Sequence, residues 1–97
     1  SALFMMKQYA LECGIHNIRV NGVNADRIQS GLLTKKMITQ RAKARGIKEN
    51  DYLKNNLLNK EVSASDVAES FYVQLCLDKT TANIITVDGG NIEASLR

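Results

Sequence analysis

Apolar residues recur at two different periods along this chain, and the change of period predicts its elements. In residues 1–13, Ala2, Leu3, Met6, Tyr9 (or Ala10) and Cys13 fall at helical spacing. Phe4, Met5 and Leu11 widen the apolar surface beyond one stripe, so this helix is expected to be buried on two sides, against a sheet and against another subunit. Gly14 is its expected C′ residue. Ser1 could cap it, but the apolar pattern starts without a lead-in turn, which suggests a segment of something longer. After the short connection Ile15-His16-Asn17, the β-branched residues Ile18, Val20 and Val23 predict a buried strand over 18–23. Gly22 inside it marks a close backbone approach.

The apolar run then stops. Asn24, Asp26, Arg27, Gln29 and Ser30 form a polar turn just beyond the carboxyl end of the strand, where open α/β sheets bind ligands. Thr34 is a candidate N-cap for a helix over 35–45, closed by Gly46. A second short helix is expected over 49–58, with Glu49 and Asp51 in its first turn and Leu53, Leu57 and Leu58 on its apolar side. Both are weakly amphipathic and read as a mobile cover rather than a core. Ser63 with Asp66 resembles a capping box and opens the best-marked helix, whose apolar face is Val67, Ala68, Phe71, Leu75 and Cys76. The last strand is Ile84-Ile85-Thr86-Val87, ended by Asp88-Gly89-Gly90. The tail from Asn91 to Arg97 is expected to be partly loose.

The order helix, strand, helix, helix, helix, strand implies parallel strands joined by a right-handed crossover. Two parallel strands cannot form a stable sheet alone, because parallel sheets are buried on both faces. The pattern therefore predicts an α/β fold, the C-terminal part of a larger doubly wound parallel-sheet domain spanning residues 1–97.

Composition narrows the class. At 97 residues the chain holds one small domain at most. With 44% apolar and 24% charged residues it has the balance of a soluble globular protein. Two cysteines without a CxxC pair, and one histidine, give no zinc pattern, and Cys13 and Cys76 on apolar stripes are expected as buried thiols in a reducing, cytoplasmic setting. No apolar run is long enough to span a membrane. His16 lacks an evident Ser, Cys or Asp partner and reads as a surface loop residue. Net charge is +3, with Lys35, Lys36, Arg41, Lys43, Arg45 and Lys48 gathered in one acid-free segment. That segment is either a solvated helix face or the contact surface of a small basic nucleic-acid or phosphate-binding module; the absence of interleaved aromatics there favours the former.

Tyr9-Ala10-Leu11-Glu12 with Gly14, then Ile18-Arg19-Val20-Asn21-Gly22-Val23-Asn24, resembles the short-chain dehydrogenase/reductase family. Ser65-Asp66-Val67-Ala68 and Ile85-Thr86-Val87-Asp88-Gly89-Gly90 match that family's later helix start and closing strand, in the right order and spacing. Asn24 to Ile28, Ser30 to Thr34 and Asn56-Leu57-Leu58 look like the dehydrogenase half of bifunctional rhamnulose-1-phosphate aldolase/alcohol dehydrogenases. The resemblance implies a Rossmann-type domain in an oxidoreductase using NAD or NADP on a small alcohol or aldehyde, and in the narrower likeness lactaldehyde in rhamnose catabolism. The family's nucleotide fingerprint and catalytic Ser, Tyr and Lys would lie upstream of Ser1. No catalytic residue is thus expected in this chain, which alone would be inactive. Ile28 falls where the family's backbone contacts the nicotinamide carboxamide, and Ser30 where a Thr bonds it; Asp26, in the same turn, is counted with them as cofactor-binding. Ala25-Asp26 stand where most members carry Pro-Gly. Residues 32–58 correspond to the substrate loop. The first helix, last helix and last strand correspond to the family's homo-oligomer surfaces. Neither a membrane nor a nucleic acid is an implied partner.

Overall fold

A computed structural model describes residues 2–30 and 33–91. The residue Ser1, the pair 31–32 and most of the tail, 92–97, lie outside the described residues, and the expected Ser1 cap and loose tail lie there with them. The elements are α1 (Ala2–Gly14), β1 (Gly22–Ala25), α2 (Lys35–Ala44), α3 (Glu49–Leu53), α4 (Ala64–Cys76) and β2 (Ile84–Val87). The strands pair in parallel, Gly22 opposite Ile84 and Ala25 opposite Val87, with α2, α3 and α4 in the crossover between them. This is the α/β, Rossmann-type arrangement expected from the sequence.

β1 is shorter than expected and displaced toward the carboxyl side. Residues 18–21 have the propensity for a strand, but β2 begins only at Ile84, so no ladder can form opposite them. Instead Val20 N donates to the Thr81 hydroxyl at 3.1 Å and Val20 O accepts from Ala82 N at 2.8 Å. Ile18, read as a buried strand residue, is exposed. Gly22 does mark a close approach: a Cβ there would lie 2.8 Å from Ile84 Cδ1.

α1 ends differently from expectation. Gly14 is its last residue, and Asn17 (φ 58°) takes the left-handed position. Asn17 N bonds Gly14 O at 3.0 Å and Ile18 N bonds Cys13 O at 3.2 Å, the two bonds of a Schellman motif. Within this chain only Ala10 of α1 is buried. Phe4, Met5 and Leu11 are 62%, 56% and 72% exposed, while Met6 is half-buried toward Gly22 of β1.

The crossover helices, expected to lack a core, contain the largest buried cluster among the described residues. Leu33, Ile38, Ala42, Tyr52 and Leu53 form one buried cluster, with Met37 packed on it. Thr34 caps α2 as expected, its hydroxyl accepting from Met37 N at 3.3 Å. α3 stops at Leu53, well before the expected residue 58, because the following segment is drawn onto the turn after β2. Leu57 N donates to Gly90 O and Leu58 N to Gly89 O, each at 3.0 Å. Leu57 and Leu58 are exposed as a result, not on an apolar helix side.

α4 starts with the expected capping box: Ser63 Oγ accepts from Asp66 N, and Ser63 N donates to Asp66 Oδ2 at 2.8 Å. The face it buries is not the expected one. Phe71, Leu75 and Cys76 are exposed, while Gln74 is 3% exposed. Gln74 is held against the sheet by its amide, which donates to Gly22 O at 2.8 Å and accepts from Asn83 Nδ2 at 3.2 Å. The same register turns Val67 and Ser70 inward to half-buried positions. Cys13 is half-buried.

Candidate functional site

The carboxyl ends of the parallel strands are where a ligand would be expected, and here both ends run into structured turns. Asp88 is buried, and its Oδ1 accepts from Gly90 N at 2.9 Å, shaping the turn after β2. That turn receives the chain from two directions. Asn91 Nδ2 donates to Asp26 Oδ2 at 2.8 Å, fixing the turn after β1. Gly89 and Gly90 accept Leu57 and Leu58, fixing the far end of the crossover. The segment between these two attachments, whose described residues hold a buried cluster of their own, is therefore pinned at both stems to one turn.

Asn56 closes the second stem. Its Nδ2 donates to Lys60 O at 2.7 Å and its Oδ1 accepts from Lys60 N at 3.2 Å. The Asn56 amide sits where a Cβ on Gly89 would be, and Gly89 has φ +66°. Only glycine meets both conditions without strain.

The candidate site residues occupy the first stem. Asp26 is committed to Asn91 and lies 3.9 Å from Arg27 Nε. Ile28 is half-buried, and its backbone N–H and C=O make no hydrogen bond to another described residue. Ser30 is exposed; its N–H donates to Leu33 O at 3.0 Å and its Oγ accepts from Leu33 N at 3.3 Å. Ile28 thus offers a backbone donor and an acceptor, two residues before the Ser30 hydroxyl. An amide such as a carboxamide needs that donor and acceptor set. Among the described residues the chain carries no group of three or more metal-ligating side chains, and His16 is exposed in its loop.

A cavity of about 870 Å³ lies beside these turns without including Asp26, Ile28 or Ser30 in its lining. It runs along the strand face bearing Gly22, Asn24, Ile84 and Thr86, between Met6 of α1 and Phe71 of α4. Its walls are mainly apolar, with Asn24, Thr86 and Asp88 among the polar groups, a balance common to small-molecule sites.

At the opposite, amino end of the strands is a polar clasp that the hydrophobic pattern did not reveal. Arg19 Nη1 donates to Gln74 O (3.0 Å), Leu77 O (2.8 Å) and Thr80 O (3.3 Å), and Nη2 to Leu75 O (2.9 Å). Asn21 Nδ2 donates to Thr80 O at 3.0 Å, and Asn21 Oδ1 accepts from Asn83 N at 3.0 Å. The available signal was a charge set between Ile18 and Val20: an arginine in an apolar run needs acceptors. The basic residues of α2 are exposed, and Arg45 is partly engaged, lying 5.2 Å from the Tyr52 ring centroid. No described helix is long and apolar enough to cross a membrane.

Solved structures share this arrangement. A short chain dehydrogenase family protein from Francisella tularensis subsp. tularensis SCHU S4 superposes with a TM-score of 0.73 at 26% identity, over 91% of this chain and 38% of its own. L-Sorbose reductase from Gluconobacter frateurii, solved with NADPH and L-sorbose, superposes with a TM-score of 0.66 at 24% identity, over 95% and 37%. ElxO with NADP bound gives 0.70 at 21% identity, over 95% and 36%. The chain spans little more than a third of the length of these structures. No family model and no curated protein matches the sequence.

Proposed function

We propose that this chain is the C-terminal part of an NADP(H)-dependent short-chain dehydrogenase/reductase and supplies the nicotinamide-side turn and the substrate lid. The observation that supports the reading is the attachment of both stems of the long crossover segment to the turn after β2, at the carboxyl ends of two parallel strands. The bound dinucleotide would supply hydride transfer. In this chain, the Ile28 backbone and the Ser30 hydroxyl would hold the carboxamide and so choose which nicotinamide face meets the substrate. The lid would exclude water from that face. The nucleotide-binding and catalytic groups would belong to the remainder of a longer protein, so residues 1–97 alone would not turn over substrate. The neighbours solved with NADP or NADPH support NADP(H) over NAD(H).

The finer reading is lactaldehyde oxidation by an enzyme carrying an aldolase domain in rhamnose catabolism. Its support is the likeness of residues 24–34 and 56–58 stated above. The test is formation of reduced nucleotide by the full-length protein with NADP⁺ or NAD⁺ and lactaldehyde. Turnover of sorbose-like ketoses but not lactaldehyde would overturn the finer reading. Failure to bind either nucleotide would overturn the whole of it.

The exposed apolar faces of α1 (Phe4, Met5, Leu11) and α4 (Phe71, Tyr72, Leu75) support a homo-oligomer assembled through these helices. Leu11→Glu is expected to shift the protein to a smaller species in light scattering; an unchanged mass would exclude α1 from the interface. The two free cysteines agree with a reducing, cytoplasmic setting.

A further inference from the structure

We propose that Arg27 is a positioning residue that latches the lid to the turn leaving β1, and thereby sets the lid's closed position. This rests on the dehydrogenase reading above. Four observations carry it.

Arg27 has φ 56°, a left-handed conformation that glycine or asparagine adopts more readily. The turn by itself does not call for an arginine. The side chain does something a glycine could not. Its Nη1 donates to Tyr52 O at 3.1 Å, and its guanidinium lies 4.5 Å from the Tyr52 ring centroid. One residue thus meets both the backbone and the ring of the same partner.

That partner is the centre of the lid. Tyr52 is 2% exposed and packs with Leu33, Ile38, Ala42 and Leu53. A force on Tyr52 is therefore a force on α2 and α3 together. The far side of the connection is equally fixed: Asp26, beside Arg27, is bonded to Asn91 in the turn after β2. A continuous route runs from β2 through Asn91, Asp26, Arg27 and Tyr52 into the lid core.

Finally, among the described residues no extensive packing joins α2 or α3 to the strands. Its stems and this contact are what hold the lid to the sheet.

The test is hydrogen–deuterium exchange on the full-length protein, with and without NADPH, comparing wild type, Arg27→Gly and Arg27→Lys. Glycine keeps the left-handed turn and removes the latch; lysine keeps the charge and loses the planar fork. The latch predicts exchange about tenfold faster across residues 33–53 in Arg27→Gly, partial restoration in Arg27→Lys, and unchanged protection of β1 and β2. NADPH should still bind Arg27→Gly, with fluorescence-measured affinity within about threefold of wild type, but should no longer add protection to the lid. A purely structural turn residue would give no such separation of binding from closure. Lid exchange in Arg27→Gly within about twofold of wild type, with or without NADPH, would overturn the latch. Failure of the wild type to bind NADPH would instead overturn the dehydrogenase reading, while the nucleotide-free comparison would still decide the latch.

Discussion

Arg19→Met tests how much of the fold rests on the clasp at the amino end of the strands. The substitution keeps an unbranched apolar stem and removes the guanidinium's contacts to four carbonyls at and just past the end of α4, three of which share the two Nη1 hydrogens. Three of those carbonyls keep a second donor: Gln74 O has Leu77 N, Leu77 O has Thr80 N, and Thr80 O has Asn21 Nδ2. The fourth, Leu75 O, belongs to an exposed residue that water can reach. No buried acceptor is stranded, so the cost is the net worth of the bonds rather than a full desolvation penalty. The two part-buried bonds contribute about 1 kcal/mol each and the exposed pair less. The positive charge at a helix carboxyl terminus adds about 0.5 kcal/mol. The expected loss is roughly 2–3 kcal/mol, read as a lower urea midpoint at unchanged slope. Arg19→Lys keeps the charge and one bond, so about half of that loss is expected. Equal losses from Met and Lys would refute the reasoning, since the fork would then contribute nothing. A Met loss below about 0.5 kcal/mol would refute it too, placing Arg19 among ordinary surface residues.

Two further perturbations address the other fastenings. Gly89→Ala introduces a Cβ into the Asn56 amide at a left-handed position, and is expected to cost about 2–3 kcal/mol in urea unfolding. Adding Asn56→Gly should recover the collision but not the backbone strain, so full recovery would show that φ is unimportant there. At the start of α4, the Ser63 backbone N–H and then its hydroxyl hold the Asp66 carboxyl below its ordinary range. A depressed folded pKa stabilises above the unfolded value and ceases to do so as pH falls through the folded one. The stability difference between wild type and Asp66→Asn should therefore be full at neutral pH and shrink on acidification; a difference constant with pH would contradict the assignment.

Local chemistry was legible in the sequence, and pairing across the chain was not. β2 was readable because a β-branched run is bounded by Asn83 and Asp88-Gly89, and α4 because Ser63 and Asp66 make their cap within four residues. β1 was misplaced because Ile18 and Val20 carry the propensity, while the ladder is decided by where β2 begins. The lid core was missed because each of its helices has a thin stripe; burial arises only when Tyr52 of α3 meets Ile38 and Ala42 of α2. The buried face of α4 was misread because apolar residues were taken as the inward ones. The inward position went to Gln74, whose amide satisfies Gly22 O and Asn83 at once. The turn carrying Asp26, Ile28 and Ser30 was legible as a polar break after a strand, but its partners Asn91 and Tyr52 lie far off in sequence and no local pattern announces them.

The unequal fastening of the two strand ends gives the molecule a direction in which to open. At the amino end, Arg19, Asn21, Gln74 and Asn83 form overlapping bonds, so losing one leaves others in place. At the carboxyl end the lid hangs from two stems with few contacts each: Asn91 to Asp26 and Arg27 to Tyr52 in the first, and Leu57 and Leu58 to the Gly89-Gly90 turn in the second. Breaking a link in one stem leaves the lid on the other alone. The lid core is five buried residues, too small to stay folded if both stems release. Amides of α2 and α3 should therefore exchange through a subglobal opening, at lower free energy than β1, β2 and Gln74, which should exchange only with global unfolding. In a denaturant series, the lid amides should show a smaller slope and merge with the strand amides only near the unfolding midpoint. If lid and strand amides share one slope and one free energy throughout, the stems do not act as hinges and the molecule opens as a single unit.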